Sequence, residues 1–224
     1  ADDPRRQVVQ LANPLTEDHA VMRRSLVPGL LRAAARNQAH QHSSGAIFEV
    51  GRTYAPREDG MADEREWLVA LMFGQPANDH WRAPVRTVDL WGAKGVAETL
   101  ARAAGVRLDI AAASATYGHP VRQGQLQAGG VKVGWVGEIH PSVLRNFDVR
   151  GPAALVGLDL QGLLDSAPSE RPAFEDLLSV PASTRDLAMV VADSVMSSDL
   201  IVAARTAGGA LVREGRLFDR YVGD

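Results

Sequence analysis

At 224 residues and a formal net charge of −3, the chain can bury one sizeable core or two, and it carries no overall positive field to draw in nucleic acid. Its 46% apolar and 23% charged residues are those of a globular protein, and the lack of cysteine excludes disulfides, thiolate catalysis and cysteine-ligated zinc. Only two of the 24 basic residues, Lys94 and Lys132, are lysines, so a single arginine carries little functional weight.

The first residues, ADDPRRQVVQ, lack the apolar core of a signal peptide, and no run approaches a membrane span, so a soluble chain is expected. The absence of cysteine fits a reducing, cytoplasmic setting. VVQLANPL reads as the end of a strand turned at Asn13-Pro14, because the residue before proline avoids the helical region.

Met22 to Tyr54 is the stretch around which the chain is organised. Pro28 suits a first helical turn, where its fixed φ fits and its missing N–H would be unpaired anyway. Leu30, Leu31, Ala34 and Ala35 form an apolar stripe, with Arg32, Arg36 and His40 four apart on a different, basic face. Ser43-Ser44-Gly45 ends the helix, and AIFEVGRTY reads as a strand. In it Phe48, Val50, Arg52 and Tyr54 face one way and Ile47, Glu49, Gly51 and Thr53 the other.

Beyond the charged loop APREDGMADERE, WLVALMFG at 67–74 is apolar on both faces, as a central strand would be. VRTVDLW at 85–91 reads as a short extended piece before a helix in which Val96, Leu100 and Ala103 recur and Gly105 is the stop. RLDIAAA at 107–113 reads as a strand. RQGQLQAGGVKVGWVGEI reads as a hairpin turned at Gly129-Gly130, its second arm dotted with glycines that mark close approach by another backbone. Pro141 starts another helix, and AALVGLDLQGLLD at 153–165 reads as one strand. Residues 166–181 have linker composition. Then STRDLAMVVAD, SSDLIVAARTAGG and LVREGRLFDRYVGD give strand, helix and strand, the helix capped by Ser197 or Ser198 and closed by Gly208-Gly209.

Several of these phrases occur together in one known family. NPL at 13–15, MRRSLVPGLLRAAARN, IFEVGRTY, VDLW-x-x-KG at 88–95 and VGWVGEIHPSVL resemble the beta subunit of bacterial phenylalanyl-tRNA synthetase, in its inactive, catalytic-like domain. RDLAMVV and LFDRYVGD resemble the first half of the ferredoxin-like anticodon-binding domain at the end of the same subunit. The resemblance implies an α+β fold: a class II synthetase-like antiparallel sheet with helices over residues 1–165, a linker at 166–181, and a partial ferredoxin-like β-α-β segment over 182–224. It also implies that the chain is a fragment, with much of the subunit before it.

In a class II synthetase, an arginine–glutamate pair on the second-motif loop and a third-motif arginine on a strand–helix segment clamp ATP, using the planar fork that binds phosphate through two N–H groups. Here IFEVGRTY continues as APREDG without the expected phenylalanine-arginine-x-glutamate pattern, and ALVGLDLQGLLD contains no arginine. The resemblance therefore implies a non-catalytic chain with no catalytic, cofactor or metal residues of its own. The holoenzyme would use ATP and magnesium to charge tRNA with phenylalanine. The partners would be the catalytic alpha subunit, in an α2β2 heterotetramer, and tRNA.

Candidate contacts follow. Arg23, Arg24, Arg32 and Arg36 form a basic interface face toward RNA or an acidic partner, the alternative being a solvated helix face. Arg185 and Tyr221 are candidate tRNA contacts, since exposed aromatics on such a sheet can stack bases; Phe218 and Tyr221 would otherwise fill a core. His40 and His42 suggest a metal pair without a third ligand at convincing spacing, or exposed histidines at a helix end. His119-Pro120 and His140-Pro141 read as sites or as turns, and Asp89 and Glu98 as paired carboxylates or as capping and solvated residues. Two rivals to the scaffold reading are a free-standing class II-like paralogue binding a small ligand and a general RNA-binding module.

Overall fold

The computed structural model describes residues 6–16, 20–75, 87–169 and 180–221, and the chain divides into two units, Ala1–Ala173 and Phe174–Asp224.

The first unit is built on a six-stranded, wholly antiparallel sheet. Helix α1 spans Val27–Ala39, with Pro28 in its first turn and Val27, Leu30, Leu31 and Ala34 buried, as the stripe predicts. Strand β1 (Gly45–Pro56) pairs in unbroken register with β2 (Ala62–Phe73), from Gly45 opposite Phe73 to Pro56 opposite Ala62. Helix α2 is Leu90–Ala103; its cap is Asp89, whose carboxylate accepts from the Gly92 N–H at 2.8 Å. Leu90 and Trp91 are thus already helical rather than extended, because the Asp89 cap fixes the helix start one residue before them.

Strands β3 (Asp109–Ala112), β4 (Gly118–Ala128) and β5 (Val131–Ile139) form a meander. Gly129 and Gly130, at φ 55° and 83°, make the two left-handed residues that a tight hairpin turn needs. Helix α3 (Pro141–Asn146) precedes β6 (Ala153–Asp159), which inserts between β2 and β5 to give the order β1-β2-β6-β5-β4-β3.

The run 153–165, predicted as one strand, is strand followed by helix: β6 ends at Asp159 and α4 occupies Leu160–Asp165. Asp159 turns the chain by accepting from the Gly162 N–H at 3.2 Å, the N-cap interaction that satisfies an orphan helix donor.

Two cores lie on the two faces. Alternation along β2 sends Val69, Leu71 and Phe73 to one face, where α1, Trp135, Leu144 and Val149 complete the packing. Met72 goes to the other, with Ala93, Ala97 and Ala101 of α2, Leu163 of α4, and Val156 and Leu158 of β6. The glycine pattern of β5 has its predicted cause at Gly134, where a Cβ would lie 2.2 Å from the Gly157 carbonyl oxygen on β6.

The opening segment forms a small antiparallel contact, Gln10 opposite Val21, with Leu11 N–H to Ala20 O at 2.9 Å and Met22 N–H to Val9 O at 2.8 Å. Among the described residues no helix is long and apolar enough to cross a membrane.

In the second unit the predicted helix is present as α5, Ser197–Gly208, followed by a 3-10 turn at Gly209–Leu211. Neither serine caps it. Met196 is the cap residue, and the Ser198 hydroxyl donates to Asp199. The two predicted strands flanking α5 join no ladder over their described residues, 183–193 and 212–221. A strand requires partner N–H and C=O groups, and the described residues of this unit supply none there. Leu187, Met189 and Val191, the alternating residues of the first of these segments, all stay exposed.

Candidate functional site

Two pieces of the first unit are candidates for a nucleotide site: the β1–β2 hairpin and the β6–α4 junction. Each of the hairpin's arginines has a carboxylate partner. Arg52 meets Glu64 across the strands at 3.0 Å, Arg57 meets Asp59 within the turn at 2.8 Å, and Arg65 meets Asp159 on β6 at 3.4 Å. Asp159 is the buried charged residue among the described residues and is committed to the α4 cap and to Arg65. The junction therefore presents a carboxylate where a phosphate clamp would need a guanidinium.

The exposed face of β1 is apolar at Phe48 and Val50 and charged at Arg52. Ile47 packs toward α1, while Phe48 and Val50 point to the opposite face and remain 72% and 47% exposed.

The four nominated arginines separate into two pairs. Arg23 runs beside the outer edge of β1: its carbonyl accepts from Tyr54 N–H at 2.9 Å, its Nε donates to Arg52 O at 2.8 Å, and its guanidinium pairs with Glu49. Arg24 donates to Tyr54 O at 3.4 Å, and its Nε is buried. These two arginines fasten the sheet edge. Arg32 and Arg36 stand exposed on α1, with the Arg32 guanidinium 6.0 Å from the centre of the Phe147 ring.

The histidines act locally. His119 Nδ1 accepts from the N–H groups of Val121 and Arg122, and His140 caps α3 by accepting from Ser142 N–H at 3.1 Å. His40 and His42 are exposed just past α1, and no group of three His, Asp or Glu able to hold a metal occurs among the described residues. Asp89 is a cap and Glu98 pairs with Lys94 one helical turn away. In the second unit Arg185 and Tyr221 are both exposed, as is Phe218, so none of them fills a core.

Spacing did not nominate Arg145 and Arg150. Both are exposed, and both border the Gly151-Pro152 corner that leads into β6. A cleft of about 310 Å³ has Arg145 on one side of that corner, and one of about 480 Å³ has Arg150 and Gln38 on the other.

A six-stranded antiparallel sheet with the long β1–β2 hairpin at one edge and a strand–helix junction at β6–α4 is a fold found in solved aminoacyl-tRNA synthetases. Two structures of pyrrolysyl-tRNA synthetase from Desulfitobacterium hafniense share the fold. One has a TM-score of 0.52 at 20% identity, covering 73% of this chain and 54% of that one. The other, PylSc, has a TM-score of 0.50 at 19% identity, covering 64% and 49%.

The family model for the phenylalanyl tRNA synthetase beta chain CLM domain matches residues 1–160, and the chain belongs to that family. It is 35% identical over 218 residues to the phenylalanine–tRNA ligase beta subunit of Xanthomonas euvesicatoria pv. vesicatoria, covering 96% of this chain and 27% of that protein. The beta subunit of Syntrophotalea carbinolica is 35% identical over 226 residues, covering 99% and 28%. The chain thus spans little more than a quarter of the length of these relatives.

Proposed function

We propose that the chain is part of a phenylalanine–tRNA ligase beta subunit and acts as a non-catalytic scaffold. It docks against the catalytic alpha subunit in an α2β2 assembly and helps position tRNA, while the cytoplasmic holoenzyme charges tRNA with phenylalanine. The observation that carries this reading is the neutralised hairpin: Arg52, Arg57 and Arg65 are each paired with a carboxylate, and the β6–α4 junction offers Asp159. A triphosphate needs free guanidinium forks there. These residues do not fit ATP and magnesium, and both belong to the alpha subunit's site.

The exposed apolar pair on β1 supports the docking role, since lasting subunit interfaces are more hydrophobic than ordinary surface. Phe48 and Val50 are the residues it offers.

Residues 182–224 are read as the first half of a ferredoxin-like anticodon-binding domain, joined by the linker at 166–181. In a split β-α-β unit the first two strands are not neighbours; a later strand pairs with both. That accounts for a formed α5 between two unladdered segments with an amphipathic pattern. Arg185 and Tyr221, both exposed, are the residues this segment offers to RNA.

The test is co-purification with the alpha subunit of the same organism. The unmodified chain is expected at a stoichiometric ratio, and Phe48→Asp with Val50→Asp at least tenfold less. Failure of the unmodified chain to associate, or ATP binding by the chain alone, would overturn the scaffold reading.

A further inference from the structure

We infer that segment 183–193 pairs with the same segment of a second copy of this chain, so that two β-α-β units share one four-stranded antiparallel sheet. This rests on the reading of residues 182–224 as half of a ferredoxin-like domain, and names a strand that can fill the gap in it.

The second unit has the parts of a sheet without the pairing. Segments 183–193 and 212–221 flank α5, and the Arg220 guanidinium donates to Asp193 at 3.1 Å, which brings their C-terminal ends together. The two segments therefore run in the same direction, as strands joined by a helical crossover do. α5 lies on the second of them: a Cβ on Gly215 would stand 3.5 Å from Ile201. Yet no residue of α5 is buried, and Leu187, Met189, Val191, Leu217 and Phe218 are all exposed. One strand between the two segments would give both of them ladder partners.

Two copies can each supply that strand to the other. When the first segments of both lie side by side about a two-fold axis perpendicular to the sheet, each fills the gap in its partner, and both copies of α5 fall on one face. Such an interface is isologous, so the segment must be complementary to itself. The axis keeps every side chain on its own face, and directly opposed residues in an antiparallel pair share a face. With Met189 on the axis, Leu187 meets Val191, Ala188 meets Val190, and Arg185 meets Asp193 of the second copy. Shifting the axis to Ala188 sets Arg185 against Val191, and shifting it to Val190 sets Asp193 against Leu187. The register at Met189 matches apolar with apolar and plus with minus.

Both charges are available for it. The Arg185 guanidinium donates to the adjacent Thr184 carbonyl at 2.9 Å and has no carboxylate partner among the described residues. Asp193 keeps its side chain 89% exposed beside Arg220. A foreign strand would have to carry this same order of charge and apolar residues, and a second copy of the chain does carry it.

The experiment uses the full chain, which has no cysteine, so a single introduced thiol reports on its own counterpart. Opposed Cα atoms in an antiparallel ladder stand about 4.5–5.5 Å apart, within the roughly 4.4–6.8 Å that a disulfide spans. Mild oxidation of M189C should therefore give a covalent dimer. L187C and V191C should not, because each lies roughly 13 Å along the ladder from its own counterpart, whereas L187C/V191C should. Light scattering over a dilution series should give twice 24.0 kDa for the unmodified chain at high concentration. M189D should be monomeric. R185D should weaken the dimer about tenfold, and R185K should leave it nearly unchanged. All the substituted residues are exposed, so loss of folding does not confuse the result.

A doubled mass with cross-linking confined to M189C and L187C/V191C supports the inference. A mass of 24.0 kDa at every concentration, with fast hydrogen exchange over 183–193, overturns it and leaves the half-domain reading standing. A monomer in which 183–193 is protected has found its partner within its own chain, which overturns both. A dimer abolished by F48D/V50D and not by M189D is held through β1, and overturns the inference alone.

Discussion

Replacing Gly134 by alanine should damage the sheet far more than the same change at Gly157, although both glycines lie in central, paired strands. Gly134 on β5 sits opposite Leu158, and an added Cβ there would stand 2.2 Å from the Gly157 carbonyl oxygen and 3.2 Å from its carbon. A ladder carbonyl cannot rotate away as a side chain would, so the strands must separate or slip. Overpacking of this kind costs about 1–3 kcal/mol, and a backbone obstacle places the cost near 3 kcal/mol. At Gly157 the nearest atom to an added Cβ is Val69 Cγ2 at 3.7 Å, an ordinary van der Waals contact. Alanine also restricts the unfolded chain, so G157A should lie within about 1 kcal/mol of the parent.

For a domain of this size each kcal/mol moves the melting midpoint by about 2–4 °C, giving a fall of about 6–12 °C for G134A and less than about 4 °C for G157A. Thermal melts followed by circular dichroism measure both. A G134A midpoint within about 3 °C of the parent, or an equal fall in the two variants, would refute the close-approach argument.

Other expectations concern the junction and the sheet edge. Asp159→Ala should cost about 1–3 kcal/mol through loss of the α4 cap and of the partner of Arg65. Asp159→Asn, whose side-chain oxygen can still cap, should cost less than half as much by urea titration. Arg23→Ala should loosen the outer edge of β1 by about 1 kcal/mol. Hydrogen exchange would then quicken at Tyr54 N–H, which donates to the Arg23 carbonyl, while Leu71 in the centre stays protected.

The sequence carried its strongest information where local chemistry and periodicity agree. Pro28 with the stripe Leu30, Leu31 and Ala34 gave α1, and Gly129-Gly130 gave the β4–β5 turn, because each is fixed within a few residues. The run at 153–165 hides its break for an equally local reason: it is rich in leucine, and the side chain of Asp159 decides where strand becomes helix. Leu187, Met189 and Val191 have the alternation of a strand, but alternation describes a face and supplies no partner.

The basic face was legible in part. Four-residue spacing correctly put Arg32 and Arg36 together on an exposed face. It could not show that Arg23 and Arg24 are occupied by β1, some thirty residues away, or that Gln38 of α1 clasps the backbone of Arg150, more than a hundred residues away. Those facts are tertiary, and no window of sequence contains them.

The position of β6 has a consequence for synthesis. The hairpin β1–β2 and the meander β3–β4–β5 touch through that strand, which is the last of the six to be made. Until residues 153–159 emerge from the ribosome, β2 and β5 each present an unpaired apolar rim of the sort that seeks foreign partners. A nascent chain halted before Ala153 would hold two sticky half-sheets, and one carried past Asp159 would close them in a single step. Chaperone dependence during translation should therefore end abruptly at β6 and not decline gradually along the chain.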